Sequence, residues 1–234
     1  MNRFFGACLL ILLFFSASSD AVIATDYDSL VVQDGTVVEF ATALPPGYES
    51  GTPAPVMLAL PPGPQSKPAV AQSLRGYWAD EAGKRGWVVV SPAAINGMLY
   101  FRGAERVIPE LLDLIVETYK PPGGKVHLAS ISNGGLSAFH IALRQPDRFS
   151  SLAVYAGFPP ECDSWRNLTA LRDLRIATYV GEEDASWKEN MDLLKSAFDN
   201  LGIGAHYEIL PGVGHVLRPL KGAGAARVFE VIAD

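Results

Sequence analysis

Short apolar runs and amphipathic stretches alternate along most of the chain. Six runs are rich in aliphatic or β-branched residues and are bounded by Pro, Gly or polar residues, a pattern typical of strands. These predicted strands are Pro55–Leu60, Trp87–Pro92, Val126–Ala129, Leu152–Tyr155, Ile176–Val180 and Ala205–Leu210. The first is apolar throughout, which indicates a strand that is covered on both faces of its sheet.

Helical periodicity occupies the intervals between these strands, and a further helix is predicted at the C-terminus. The internal helices are predicted near Pro68–Gly83, Val107–Tyr119, Leu136–Arg144 and Trp187–Leu201. Strands that alternate with helices predict right-handed crossovers and a mostly parallel sheet with helices on both faces. The fold class is therefore expected to be α/β, with a doubly wound sheet and no large lid domain.

The N-terminal edge of this sheet is expected to be antiparallel. Ser29–Val32 and Thr36–Thr42 read as two strands, and Gln33-Asp34-Gly35 lies between them. Asp-Gly between β-rich runs is a strong hairpin signal because it suits the tight turn. This hairpin precedes the buried strands and would border them.

The first residues have the pattern of a secretory signal peptide. Arg3 precedes the apolar run Phe4–Phe15, and the small residues of Ser16–Ser19 follow. We expect cleavage after Ser19, or as late as Ala24, to leave an α/β domain over residues 25–234. An uncleaved anchor is the alternative, but a bilayer span needs about 20 apolar residues and this run is shorter. The mature protein is expected to be secreted or periplasmic, without a membrane span.

Composition narrows the function classes. The 234 residues are 49% apolar and 19% charged, which fits one globular domain. A net charge of −6 with no basic tract makes nucleic acid an unexpected partner. Removal of the signal would leave Cys162 as the lone cysteine, with no intramolecular disulfide. We find no resemblance to a metal cluster, a phosphate loop or a dinucleotide fingerprint, so no cofactor is expected.

The stretch Lys125–Arg144 carries the first candidate for chemistry. It passes from a strand to a helix at Ser132, where a sharp turn would raise the hydroxyl above the sheet. Small residues on both sides would let the strand and helix backbones approach. The motif Ser130-Ile131-Ser132-Asn133-Gly134 resembles the Gly-x-Ser-x-Gly nucleophile elbow of the α/β-hydrolases, with Ser130 in place of the first glycine. The alternative is that Ser132 or Asn133 only caps the helix.

Two further side chains follow later strands in an informative order. Asp184 follows the strand that ends near Val180, and His215 follows the last strand in a Gly-rich loop. The order Ser, Asp, His is that of the α/β-hydrolase triad, in which histidine activates serine and the carboxylate orients histidine. The resemblance covers most of residues 36–234. Competing acids and histidines, for which structural or surface roles are expected, are Glu182, Glu183, Asp163, His127, His140 and His206.

The resemblance to the α/β-hydrolases also implies two backbone N–H donors for the oxyanion. The resemblance places one at Asn133, directly after the serine, and the other in the loop after Pro55–Leu60. Three residues of Pro61-Pro62-Gly63-Pro64-Gln65 are prolines, which have no N–H to donate. Gly63 or Gln65 must supply the second donor, and we favour Gln65.

The branch that this chain resembles most is that of small lidless esterases, feruloyl esterases and polyhydroxybutyrate depolymerases. The resemblance implies hydrolysis of a small-molecule or polymeric carboxylic ester through an acyl-enzyme. Loop residues that could line a substrate pocket, or could equally be ordinary packing, are Met98, Tyr100, Phe101, Phe158, Trp165 and Trp187. A prolyl-oligopeptidase-like peptidase, or an inactive α/β-hydrolase that acts as a binding protein, are the alternatives.

Overall fold

The structure is a computed structural model that describes residues 22–23 and 27–233. The predicted signal peptide lies outside the described residues. The strands are β1 (Val22–Ile23), β2 (Asp28–Val31), β3 (Val37–Leu44), β4 (Val56–Leu60), β5 (Val88–Pro92), β6 (Val126–Ile131), β7 (Phe149–Tyr155), β8 (Arg175–Gly181) and β9 (Ala205–Leu210).

These strands form one sheet in the order β1-β3-β5-β4-β6-β7-β8-β9, and β2 also pairs with β3. Pairing is antiparallel from β1 and β2 through β3 to β5, and it is parallel from β5 to β9. The predicted α/β class with an antiparallel N-terminal edge is confirmed. The carboxyl ends of the parallel strands therefore meet at one edge, where ligand sites of such sheets are found.

Helices cover both faces of the sheet. They are α1 (Lys67–Ser73), α2 (Ala79–Lys84), α3 (Ile108–Tyr119), α4 (Asn133–Arg144), α5 (Cys162–Arg166), α6 (Ala185–Leu201) and α7 (Ala226–Ile232). One core lies between the sheet and α3, α4 and α6, and the other lies beneath α1, α2 and α7. Successive residues of β4 pack in different cores: Leu58 lies in the first core and Met57 in the second. This explains why the strand is apolar throughout.

Two segments differ from the expectation. The helix predicted near Pro68–Gly83 contains a π-helical turn, Leu74–Trp78, between α1 and α2. The segment between β7 and β8, for which the sequence predicts no helix, contains α5 and a 3₁₀ turn, Leu168–Leu171. The first departure is a change of hydrogen-bond register within a helix, and the second consists of helical segments of five and four residues, which are too short for apolar periodicity to reveal. None of the helices in the described ranges has the length and apolar character needed to cross a membrane.

Candidate active site

The serine turn is the sharpest backbone feature of the site. Ser132 has φ 57° and ψ −121°, a conformation that non-glycine residues seldom adopt, directly between β6 and α4. Its N–H donates to the Tyr155 carbonyl oxygen at 2.8 Å, which ties the turn to the next strand. The side chain makes no capping hydrogen bond to the helix. The hydroxyl is thus directed away from α4, and the helix-cap interpretation of Ser132 is wrong.

Close backbone contacts hold this turn. A Cβ atom at Gly134 would lie 2.3 Å from the Leu60 carbonyl oxygen, so no larger residue fits there without movement. Ser130 is fully buried, and its hydroxyl donates to the Ala153 carbonyl oxygen at 3.2 Å. The side chain that departs from the Gly-x-Ser-x-Gly pattern is therefore satisfied inside the sheet.

Three side chains from three strand ends form one hydrogen-bond chain. Ser132 Oγ lies 2.8 Å from His215 Nε2, and His215 Nδ1 lies 2.6 Å from Asp184 Oδ2. The Asp184 side chain is 10% exposed and that of His215 is 40% exposed. Because the carboxylate is shielded and the outer imidazole nitrogen faces the serine, the arrangement can transfer a proton to and from Ser132.

The competing acids have other surroundings. The Glu182 carboxylate accepts from the Gly212 N–H at 2.9 Å, and Asp163 pairs with Arg166 at 2.9 Å. Glu183 is exposed on the same loop as Asp184. Of the candidate acids, only Asp184 meets His215 within the described residues.

The other histidines are held by structural contacts. His127 stacks on Trp87 with ring centroids 4.2 Å apart, and its Nδ1 lies 2.8 Å from Ser151 Oγ. Burial, with a smaller effect of the Arg175 charge, lowers the pKa of His127 to about 4. His140 is buried against Arg144. The fourth histidine, His206, lies 3.5 Å from Glu208 on the edge strand β9.

The loop after β4 lies against the serine turn. Asn133 is the first residue of α4, so its N–H has no intrahelical acceptor and is available at the helix N-terminus. The Asn133 side-chain amide donates to the Gly63 carbonyl oxygen at 2.9 Å. This bond places the Gly63 peptide beside the turn, as a site for a second oxyanion donor requires.

The preference for Gln65 as that donor is corrected. The Gln65 N–H donates to the Pro62 carbonyl oxygen at 3.1 Å and closes a turn whose first central residue, Gly63, has φ 59°. The Gln65 side chain is fully buried, bonded to Ser137 Oγ at 3.0 Å and to the Tyr100 N–H at 2.9 Å. Gln65 therefore supports the loop, and Gly63 is left as the candidate donor.

Three of the predicted pocket residues share one cleft. Met98, Phe101 and Phe158 line a cleft of about 520 Å³ together with Asn133 and Leu136. We call this the large cleft, and its volume lies within the usual range for small-molecule sites. Trp187 stacks on Phe158 at 5.4 Å and on His215 at 4.9 Å between ring centroids, so it joins the cleft wall to the histidine.

Tyr100 is not a pocket residue, which corrects the prediction for it. Its side chain is fully buried and its hydroxyl donates to the Ala93 carbonyl oxygen at 2.7 Å. The aromatic ring therefore anchors the loop from inside. Trp165, whose indole N–H donates to the Pro159 carbonyl oxygen at 3.0 Å, likewise holds its own loop.

A second cleft lies on the other side of His215 and has no counterpart in the sequence predictions. We call it the small cleft. It has a volume of about 130 Å³ and is lined by Pro62, Gln72, Ser73, Tyr77, Ile131, His215, Val216 and Lys221. Its residues come from distant segments of the chain, so only the folded structure reveals it.

The described part of the chain contains no cluster of side chains suited to bind a metal ion. Over residues 22–23 and 27–233, no group of His, Cys, Asp and Glu side chains could hold a metal ion. Cys162 is exposed at the start of α5.

The strand order, the strained serine and the Ser-His-Asp hydrogen-bond chain define the protein as an α/β-hydrolase. The chain belongs to the Esterase family, whose model matches residues 80–206, just over half of its length. It is accordingly a serine ester hydrolase. A search of curated protein sequences finds no match.

Solved structures share this fold. An S-formylglutathione hydrolase from Agrobacterium tumefaciens has 17% identity and a TM-score of 0.67, with 90% of this chain and 95% of that chain covered. A ferulic acid esterase from Anaeromyces mucronatus, solved with ferulic acid, has 15% identity and a TM-score of 0.68, with 91% and 89% covered. A thermostable esterase has 14% identity and a TM-score of 0.66; 82% of this chain is covered, and it spans 55% of that protein.

Proposed function

We propose that the protein is an exported carboxylic ester hydrolase that works through an acyl-enzyme on Ser132. The observation that carries this proposal is the continuous hydrogen-bond chain from Ser132 Oγ through His215 to Asp184, at 2.8 and 2.6 Å. A serine hydroxyl becomes a useful nucleophile when a neighbouring base accepts its proton. His215 is within reach to do so.

The reaction proceeds in two halves. Ser132 Oγ attacks the ester carbonyl carbon while His215 Nε2 accepts its proton, and the Asp184 carboxylate stabilises the imidazolium that forms. The tetrahedral intermediate then breaks its bond to the alcohol oxygen, which receives the proton from His215. Water repeats the same steps on the acyl-enzyme, releases the acid and restores Ser132.

The negative charge of each tetrahedral intermediate needs fixed donors. We assign the N–H groups of Asn133 and Gly63 to this role, since the Asn133 side chain holds the Gly63 peptide at 2.9 Å. Removal of one such donor typically costs about 3 kcal/mol of transition-state stabilisation. The position of the Gly63 loop is therefore important for rate as well as for stability.

Export is the second part of the proposal and rests on the N-terminal sequence. Arg3, the apolar run Phe4–Phe15 and the small residues that follow form the three regions of a signal peptide. Expression of the whole chain in a secreting bacterial host should yield a mature protein that begins at Asp20 or shortly after it, no later than Thr25. N-terminal sequencing of the exported protein would decide this, and retention of Met1 would overturn it.

The catalytic part is tested with a 4-nitrophenyl ester series from acetate to decanoate and a fluorophosphonate probe. Wild type should hydrolyse the esters with saturation and should be labelled at Ser132. Ser132→Ala should lose both properties. Ser130→Ala is the matched control, because it removes a hydroxyl two residues away whose partner is a backbone carbonyl in the sheet; it should keep the labelling and most of the activity.

The outcomes separate the alternatives. Labelling of Ser132 without ester hydrolysis would favour a peptidase. A folded protein that is neither labelled nor active would favour a binding role, and the acyl-enzyme proposal would be abandoned.

A further inference from the structure

The two clefts would hold the two parts of an ester substrate, its acyl group and its alcohol. This inference rests on the proposed function. The leaving alcohol must face His215 Nε2, because it receives its proton from that atom. His215 borders two clefts: the small cleft and a further cleft of about 490 Å³ that is lined only by residues of the segment 212–219. Of the two, the small cleft also includes Ile131, the residue before Ser132, so it is the one that meets both catalytic side chains. The large cleft is bounded by Asn133 and Leu136 of α4. The alcohol therefore belongs to the small cleft and the acyl group to the large cleft.

The small cleft admits only a small alcohol. Its volume of about 130 Å³ is far below the 520 Å³ of the large cleft. An engineered cavity of about 150 Å³ holds a benzene molecule, so the small cleft accepts a group of roughly that size or less. Pro62 and Ile131 form its inner wall beside Ser132.

Two cations lie on the His215 side of the site. Lys221 lines the small cleft, with its Nζ 5.3 Å from the centroid of the Tyr77 ring, and Arg218 lines the neighbouring cleft of about 490 Å³. Neither Lys221 nor Arg218 forms an ion pair with a described residue, as is also true of six of the other sixteen described lysines and arginines.

The side chains that line the small cleft are suited to bind an anionic group. Lys221 is an exposed cation on the wall of the small cleft, and no carboxylate lines that cleft. Asp184, the acid of the same edge, is already bonded to His215. The Tyr77 hydroxyl and the Gln72 amide are on the same wall and can also donate hydrogen bonds.

We propose that the preferred leaving group is a small alcohol that carries an anionic group, and that Lys221 binds this group. A carboxylate or phosphate within reach of the ammonium gains a charge-assisted hydrogen bond, which is stronger than one between neutral groups. Lys221 is in this way a specificity-determining residue for the alcohol side of the ester.

The test compares two esters that share the butyryl group. Carboxymethyl butyrate releases glycolate and propyl butyrate releases a neutral alcohol of similar size, and hydrolysis of both can be followed by titration of the released acid. We expect Lys221→Met, which keeps the length of the side chain, to lower the ratio of their kcat/KM values (anionic over neutral) about tenfold. Circular dichroism verifies that the variant is folded.

A control and a second measurement keep the inference falsifiable. Lys125 is an exposed lysine that also lacks a described ion-pair partner, but it lies directly before β6, at the end of the strand opposite to Ser132. Lys125→Met should leave both rates and their ratio unchanged. In wild type, raising the salt from about 0.05 M to about 0.5 M should lower the same ratio through screening.

The results distinguish this inference from the proposed function. Hydrolysis that depends on Ser132, with the same ratio in wild type and Lys221→Met and no effect of salt, would overturn the role of Lys221 and leave the esterase proposal intact. Absence of Ser132-dependent hydrolysis of both esters and of the 4-nitrophenyl series would overturn both.

Discussion

The backbone of Gly181 lies directly against the carbonyl group of Val213. A Cβ atom at Gly181 would lie 2.1 Å from the Val213 carbonyl oxygen, which also accepts from the Glu183 N–H at 2.9 Å. The loop that carries Asp184 and the loop that carries His215 are thus joined through their backbones. This contact fixes the separation of the carboxylate and the imidazole.

Gly181→Ala should lower both stability and activity more than the small size of the added methyl group suggests. The added methyl group must displace backbone atoms, and overpacking of this kind costs about 1–3 kcal/mol of stability. A shift of the Asp184–His215 pair should lower kcat at least about a hundredfold, because misplacement of catalytic groups by 1 Å has effects of that order. Thermal unfolding and ester hydrolysis measure the two effects.

Gly76→Ala is the control for this substitution. Gly76 lies in the π-helical turn, and a Cβ atom there meets nothing within 4 Å. Because alanine is favoured over glycine in helices, this variant should be as stable as wild type or slightly more stable. Equal loss of activity in the two alanine variants would contradict the role of the Gly181 contact.

Asp184→Asn should lower kcat by about three to four orders of magnitude while the fold is retained. The amide has the shape of the carboxylate, but it does not balance the imidazolium charge and favours the wrong tautomer of His215. Glu183→Gln removes a neighbouring exposed charge and should change kcat less than about twofold. Steady-state kinetics on one ester compares them, and a similar loss in both variants would reassign the acid.

Gln65→Leu should test the support that the buried Gln65 side chain gives to the oxyanion loop, since the backbone N–H of this residue is kept. The leucine would leave the Tyr100 N–H and the Ser137 hydroxyl without their buried partner, at a cost of about 1–3 kcal/mol. The Gly63 turn should loosen, so kcat should fall while KM changes little. Urea unfolding and steady-state kinetics test this, and full activity in a clearly destabilised variant would show that the turn holds its position without Gln65.

His127 should make the protein less stable in acid. Its pKa is about 4 in the folded protein, because burial and then the Arg175 charge disfavour the proton, against about 6.5 when unfolded. The unfolded chain therefore binds more protons between these values. The stability contribution is complete above pH 6.5 and is lost as the pH falls towards 4, by up to about 3 kcal/mol.

His127→Gln removes this titration. Urea unfolding at several pH values should give a smaller loss between pH 7 and pH 4 in the variant than in wild type, since the carboxylates titrate in both. Parallel pH dependences in the two proteins would refute this account of His127.

Phe158→Ala should change the acyl preference. Its ring lines the large cleft and packs on Trp187, so truncation widens the cleft beside Asn133. The ratio of kcat/KM for the decanoate ester to that for the acetate ester should rise severalfold. Tyr100→Phe is the control: it deletes a buried hydroxyl outside the cleft and should lower stability by about 1 kcal/mol with the ratio unchanged. A changed ratio in both variants would count against the assigned cleft wall.

The sequence was informative wherever one local pattern determines the structure. Apolar runs predicted the strands of the parallel sheet, because a strand covered on both faces must be apolar on both. The serine between a strand and a helix predicted the turn at Ser132, since small neighbours and a helix start are local requirements. Ser132, Asp184 and His215 each follow a predicted strand, and the resemblance to the α/β-hydrolases then implied their roles as a triad.

The remaining features depend on contacts between distant segments. In the sequence, Tyr100 is a large apolar loop residue like Met98 and Phe101. The direction of its side chain is set by hydrogen bonds from its hydroxyl to the Ala93 carbonyl oxygen and from its backbone N–H to the buried Gln65 side chain, which the sequence does not show. The donor in the Pro-rich loop was misassigned because a list of residues with N–H groups does not show which of them already closes a turn.

The contacts of the glycine backbones have a consequence for redesign of the enzyme. Gly134 lies against Leu60, Gly135 lies against Gly157, and Gly181 lies against Val213. The first turn of α4, the ends of β4 and β8, and the loops after β7 and β9 therefore meet without intervening side chains. Substitutions at these positions would disturb the catalytic groups together. New substrate ranges are better sought in libraries at Met98, Phe101 and Lys221, whose side chains face the clefts and leave this rigid frame untouched.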